Sequence, residues 1–439
     1  MSGSLNWEGR PERLIKDEKV VRNSVTLIAT RIFTKIATTL IMVYVARRLG
    51  DADFGLYATI LAIVAFASLV EEFGLSVPLI RSIARRTGDP GAALGKVMLM
   101  KVPLGIGAGL VFFGAASISH LPFALSVVFA ASLFFEVQAL SVTRSFEGAE
   151  QMKYIGLITI VERTVFCGAG FLVLYSGLGL IALGFVSLAS NIIAVGMGLT
   201  LFARRIAPLK FSLSWTDAKE RMREALPFVV AGLFSVLYNR ADVFILSMHR
   251  GAAEVGWFNA ATRVLEAQSF IPLAIIGSVF PVLSRNFRSS FSEFKRVHAR
   301  VFYLFIAVGA ALAGLTFLFS DTITIFLYTS QYANAGPVLR NMAVTIFFFS
   351  LNLLVGNALI AASKEGYSTA TLGFGALVNV VANYFAVPVY GASAAALIRA
   401  ASEALSFGIQ AFFLYRVVGT LSIFGFPAND RTSVAARGS

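Results

Sequence analysis

The sequence predicts an all-α polytopic membrane protein, with twelve transmembrane helices in two six-helix lobes related by a pseudo-two-fold axis along the membrane normal. Three observations predict it. Of the 439 residues 57% are hydrophobic and 14% charged, with a mean hydropathy of +0.77, whereas soluble domains carry about a quarter charged residues. Apolar stretches near the roughly 20 residues needed to cross the hydrocarbon recur along the whole chain. The basic residues of the loops alternate in sidedness from one stretch to the next. The 40 Phe and 37 Gly suit lipid-facing surfaces and close helix approaches.

The spans read 23–46, 55–80, 92–117, 121–143, 154–175 and 178–203, then 224–249, 256–283, 299–319, 336–361, 367–388 and 391–417. Residues 320–336 read either as an extension of the ninth span or as a short interfacial helix. One set of loop ends holds 26 Lys and Arg, from the N-terminal tail through 81–96, 204–223 and 285–300 to the C-terminal tail. The opposite set holds Arg47, Arg48 and Arg250 alone. The positive-inside rule then places both termini in the cytoplasm of a multi-pass cytoplasmic (inner) membrane protein. The polar first 21 residues lack the apolar core of a signal peptide. The expected organisation is a tail over 1–21, a lobe over 22–204, a basic linker over 205–223, a second lobe over 224–418 and a tail over 419–439.

The two halves repeat. Gly50-Asp51-Ala52-Asp53-Phe54-Gly55-Leu56-Tyr57 after the first span matches Gly251-Ala252-Ala253-Glu254-Val255-Gly256-Trp257-Phe258 after the seventh, 201 residues on. Gly177, opening the sixth span, matches Gly391, opening the twelfth. Six spans per half leave the halves parallel, which is the arrangement of transporters whose substrate lies between two lobes.

The string Ala46-Arg47-Arg48-Leu49-Gly50-Asp51-Ala52-Asp53-Phe54-Gly55-Leu56-Tyr57 resembles the first outer turn of polysaccharide-export proteins, the Wzx-type flippases of lipid-linked oligosaccharides. Phe146-Glu147-Gly148 with Lys153-Tyr154 is similar to a second pattern of that family. The family shares a superfamily with the MATE exporters and the lipid II flippase MurJ. The resemblance implies a two-lobed bundle working by alternating access, with both motifs serving as structural turns. A count of twelve sets the chain apart from MurJ-like members, which carry two further helices, and leaves a cation-coupled multidrug exporter of the MATE type as the alternative. The partners it implies are a lipid-linked oligosaccharide, membrane lipids, H+ or Na+ as coupling ion, and a glycan polymerase or export machinery.

Charged residues inside the spans are the candidate site, because intramembrane ionisable groups are costly. Arg31 and Lys35 lie one turn apart on the first span and share a face, which suits a pyrophosphate or acidic sugar. Lys101 on the third span, Arg163 on the fifth and Arg240 on the seventh also lack a local acid, and with Arg31 and Lys35 they form the expected substrate-binding set. Glu162 and Arg163 are adjacent and point apart, so each is expected to find partners on other helices. Glu136, Glu162, Asp242 and Glu266 are the candidates for ion coupling or charge compensation. Arg263 with Glu266, and Arg399 with Glu403, are spaced for intrahelical pairs, and Arg340 is placed to snorkel.

Other chemistries find little support. With one Cys (Cys167) and three scattered His, neither a disulfide nor a metal site is expected, and no cofactor. The net charge of +13 resides in short loops, so it reads as topology rather than as nucleic-acid binding. No Walker-type phosphate loop or displayed carboxylate pair suggests an enzyme.

Overall fold

The computed structural model describes residues 18–86, 88–419 and 421–424; the side chains of 18–29, 31, 32, 421 and 422 lie outside the description. Arg31 therefore falls outside it as a side chain, and residues 1–17 and 425–439 of the tails fall outside it altogether.

Among the described residues there is no strand, and twelve α-helices account for almost all of the chain. They are α1 (Glu18–Glu72), α2 (Ser76–Ala84), α3 (Pro90–Ile118), α4 (Phe123–Gly148), α5 (Met152–Tyr175) and α6 (Leu180–Arg205), then α7 (Trp215–His249), α8 (Ala252–Gln268), α9 (Phe270–Ser289), α10 (Phe291–Tyr328), α11 (Ala335–Ala361) and α12 (Glu365–Val418). Short 3₁₀ turns cover Ser330–Tyr332 and Leu421–Phe424. Among the described residues ten helical stretches are long and apolar enough to cross a membrane. Two of them are broken by a glycine at positive φ: Gly50 (φ 80°) divides α1, and Gly391 (φ 61°) divides α12. Gly177, the repeat partner of Gly391, also has positive φ (76°). Only glycine takes that conformation without strain, so the chain can reverse direction there.

The helix ends follow local chemistry. Asp89 caps α3, accepting from the Gly91 N–H at 2.8 Å ahead of Pro90 in the first turn. Pro272 cannot donate to the Gln268 carbonyl, and the helix breaks there, α8 ending at Gln268 and α9 starting at Phe270. The ninth predicted span, in α10, runs on past a kink at Phe319 to Tyr328, so 320–328 extends it and a 3₁₀ turn follows.

The chain divides into two compact units. The first comprises the residues up to Leu49 with Ile63–Leu233; the second comprises Gly50–Ala62 with Phe234 onward. The turn at Gly50 and the start of the second arm of α1 thus belong to the second unit, and the segment joining α6 to α7 belongs to the first.

In the first unit the core gathers Leu75, Leu79, Leu94, Val97, Val142 and Phe202 around Phe146. Phe146 is fully buried, edge-on to Phe202 at 5.9 Å, and a Cβ on Gly148 would lie 2.8 Å from the Ile80 carbonyl oxygen. That is why Phe-Glu-Gly stands at the end of α4: the ring fills the core and the glycine admits α2. In the second unit Leu283, Phe294, Phe305, Leu354, Leu359 and Leu414 form the equivalent core.

The repeated turns meet within the second unit. A Cβ on Gly55 would lie 1.7 Å from the Ala252 carbonyl oxygen, and one on Gly256 would lie 2.0 Å from that of Asp51. Gly55 and Gly256 are repeat mates, as are Asp51 and Ala252, so the contact is reciprocal. Trp257 Nε1 donates to Asp51 Oδ2 at 2.8 Å, and Phe54 packs edge-on against Tyr332 at 6.2 Å. In lipid, where apolar burial between helices provides little driving force, small residues that let backbones touch supply the packing.

Candidate functional site

Two of the five cations predicted to lack a partner, Lys101 and Arg163, stand beside carboxylates. In the first unit Lys101, fully buried on α3, donates to Glu72 and, at 2.7 Å, to Ser141 Oγ of α4. It is not an unpartnered cation, because Glu72 at the end of α1 comes beside it, a juxtaposition made by chain packing. Glu71, next to it, is buried with Oε1 unpartnered.

Arg163 and Glu162 correct a second expectation. Adjacent residues on a helix leave their axis about 100° apart, yet these long side chains bend together, Nε to Oε2 at 3.2 Å. Arg163 Nε makes no aligned hydrogen bond, so the contact is Coulombic. Glu136 of α4 lies within electrostatic reach of Arg163. Lys35 is half-buried on the first arm of α1.

In the second unit one polar group unites α7, α8, α11 and α12. Arg399 pairs with Asp242 of α7 at 3.1 Å, not with Glu403, and also reaches Thr262 Oγ1 at 3.4 Å. The i, i+4 spacing allowed the intrahelical pair, but the fully buried Asp242 has the greater need of a cation. Arg263 and Glu266 do pair within α8, at 2.8 Å. Arg340, expected to snorkel, is instead held by Asp321 and by Ser320 Oγ at 3.2 Å. Arg240 is half-buried near Arg263, Glu266, Arg399 and Asp242 but makes no ion pair among the described residues.

Glu403 is the carboxylate that sequence reasoning misassigned. Asn352 Nδ2 donates to its Oε2 at 2.7 Å and to its backbone carbonyl at 2.9 Å. With Tyr238, Asn352, Ser368, Ser406 and Gln410 it lines a cavity of about 290 Å³. A signal was present: Arg399, Glu403, Ser406 and Gln410 fall at i, i+4, i+7 and i+11, one continuous polar stripe on an apolar span. Among the described residues no group of three His, Cys, Asp or Glu could hold a metal ion.

Chemically, the two units present carboxylates beside cations in low-dielectric surroundings, with Arg240 able to add a partner. The architecture is that of a polytopic, MATE- and MurJ-like membrane transporter fold. The structure of the lipid II flippase MurJ in an inward closed conformation superposes with a TM-score of 0.70 at 13% identity, covering 90% of this chain and 87% of that one. The profile of the polysaccharide biosynthesis protein family matches residues 20–287, and the MatE profile matches 227–385. The chain belongs to the polysaccharide biosynthesis protein family. It is 23% identical over 401 residues to the probable low-salt glycan biosynthesis flippase Agl15 of Haloferax volcanii, spanning 90% of this chain and 83% of that protein. It is 24% identical over 362 residues to the putative O-antigen transporter of Shigella dysenteriae, spanning 80% and 89%.

Proposed function

We propose that the chain is a flippase that moves a polyprenyl-pyrophosphate-linked oligosaccharide from the cytoplasmic to the outer leaflet by alternating access through a cationic central cavity. The observation that carries this is the likeness along almost the whole chain to a glycan flippase, at 90% coverage. It is a transporter of the inner membrane rather than an enzyme. On this reading α1 and α12 each contribute two spans, and both termini lie in the cytoplasm.

Pairing narrows the cationic set. Lys101 and Arg163 spend their charge on carboxylates, so among the described side chains the headgroup contact falls first to Arg240, with Lys35 and Arg31 of the first span retained beside it as the sequence proposes. An arginine without a fixed carboxylate is suited to a pyrophosphate, whose oxygens its planar fork can meet in pairs. Of the acids, Asp242 and Glu266 are tied to arginines, and Glu136 and Glu162 border Arg163. Glu403, facing a polar cavity, joins them as a candidate to bind a coupling H+ or Na+. A glycan polymerase or export machinery would take the product.

The test is complementation of a host lacking its own O-antigen transporter. Arg31→Gln, Lys35→Gln and Arg240→Gln are each expected to abolish surface glycan at unchanged protein level; normal glycan in all three refutes the headgroup assignment. The MatE match over 227–385 supports a second reading, a cation-coupled drug exporter. Dye efflux that depends on Glu403, with no glycan export, would favour it.

A further inference from the structure

The segment between α6 and α7 is a strap laid across the start of α3 in the first unit. Residues 207–214 form neither helix nor strand, and their backbone is seated on two glycines. A Cβ on Gly91 would lie 1.9 Å from the Pro208 carbonyl oxygen, and one on Gly95 would lie 2.2 Å from that of Lys210. Ion pairs pin both ends: Lys210 to Asp89 at 2.5 Å and Lys96 to Asp217 at 2.6 Å. The buried Ala218 continues the contact into α7.

With its backbone fixed, the strap and the first residue of α7 display three large apolar side chains that stay exposed. Phe211 is 60% exposed, Leu213 39% and Trp215 83%. They stand at positions 211, 213 and 215, within five residues of chain that lead into the start of α7. Around them Arg204, Arg205, Lys219 and Arg223 form no ion pair among the described residues. Over 204–224 six cations face three acids, Asp217, Glu220 and Glu224. Exposed aromatic and aliphatic groups bordered by unpaired cations, just beyond the end of a span, are what an anionic bilayer surface complements: indole at headgroup depth and cations on phosphate.

We propose that residues 204–223 are an interfacial anchor, with Phe211, Leu213 and Trp215 seated among the upper acyl chains of the anionic cytoplasmic leaflet and Arg204, Arg205, Lys219 and Arg223 on its phosphates. The sidedness rests on the orientation proposed above; the seat itself does not depend on what the protein transports. The anchor holds the connection between the two halves at the membrane surface, so leaflet charge acts directly on it.

The chain has three Trp, which makes the test direct. Trp7→Phe with Trp257→Phe leaves Trp215 as sole reporter, and the difference between wild type and Trp215→Phe gives the same readout with Trp257 kept. The protein is reconstituted in phosphatidylcholine vesicles with or without phosphatidylglycerol. Trp215 emission is expected to shift to the blue, to lose most of its intensity to lipids brominated high on the acyl chain, and to be spared by aqueous iodide. Phosphatidylglycerol deepens the quenching, and the quadruple variant R204Q/R205Q/K219Q/R223Q removes that increment. Iodide quenching without bromolipid quenching overturns the anchor. Bromolipid quenching that is indifferent to phosphatidylglycerol overturns the anionic assignment. Loss of glycan export with these optical results intact would count against the transport reading alone.

Discussion

Gly55 and Gly256 give the sharpest test of how the second unit is packed. Ordinary contact of a Cβ begins near 3.4 Å, and a Cβ on Gly55 would lie 1.7 Å from the Ala252 carbonyl oxygen, so Gly55→Ala requires the two backbones to part by about 1.7 Å. For Gly256→Ala the opposing atom is the Asp51 carbonyl oxygen at 2.0 Å. In both cases the obstacle is backbone, which no rotamer change can remove. Overpacking of this kind costs about 1–3 kcal/mol, and parting the backbones also strains the Trp257–Asp51 hydrogen bond. Gly114, which has nothing within 4 Å inside α3, is the control. There alanine should be neutral or stabilising by up to ~1 kcal/mol through helix propensity. The assay is thermal unfolding of purified protein in detergent. Gly55→Ala and Gly256→Ala should each lower the midpoint, and the double variant should fall short of the sum because the first substitution already opens the shared contact. Midpoints for both single variants equal to that of Gly114→Ala would refute the reciprocal contact.

Two further outcomes concern charge. Lys101→Met leaves Glu72 without its cation, and breaking a buried pair costs about 3–5 kcal/mol; the melting midpoint should fall, and adding Glu72→Gln should recover part of the loss. An unchanged midpoint for Lys101→Met alone would mean the pair contributes nothing. Asp89 is held below the ordinary carboxylate range, first by its hydrogen bond from Lys210 and then by the Gly91 N–H. A depressed folded value means that its contribution is complete above the unfolded pKa of about 3.9 and is lost as pH falls through the folded value. Acidification below about pH 4 should therefore loosen the strap, read as a drop in Trp215 fluorescence anisotropy in the single-Trp protein. Asp89→Asn should show the lower anisotropy already at neutral pH.

Membrane class, helical composition and family could be read from the sequence, because each rests on local properties: span-length apolar runs, punctuating glycines and two short motifs. Gly50 and Gly391 marked chain reversals since only glycine accepts their φ cheaply. The repeated glycines Gly55 and Gly256 were also visible, and each meets the backbone of the other's turn, although Gly50 (φ 80°) and Gly251 (φ −66°) take different conformations. What the sequence could not tell was which charge meets which. Glu72 beside Lys101, 29 residues away, and Asp242 beside Arg399, across 157 residues, are products of helix packing. Helix spacing offered Glu403 to Arg399 at i, i+4, and the fold gave that arginine to the more deeply buried Asp242. Local periodicity fixes which side of a helix a residue occupies. Only the tertiary arrangement decides what stands opposite it, and in low-dielectric surroundings the nearest opposite charge determines what a buried cation is free to bind.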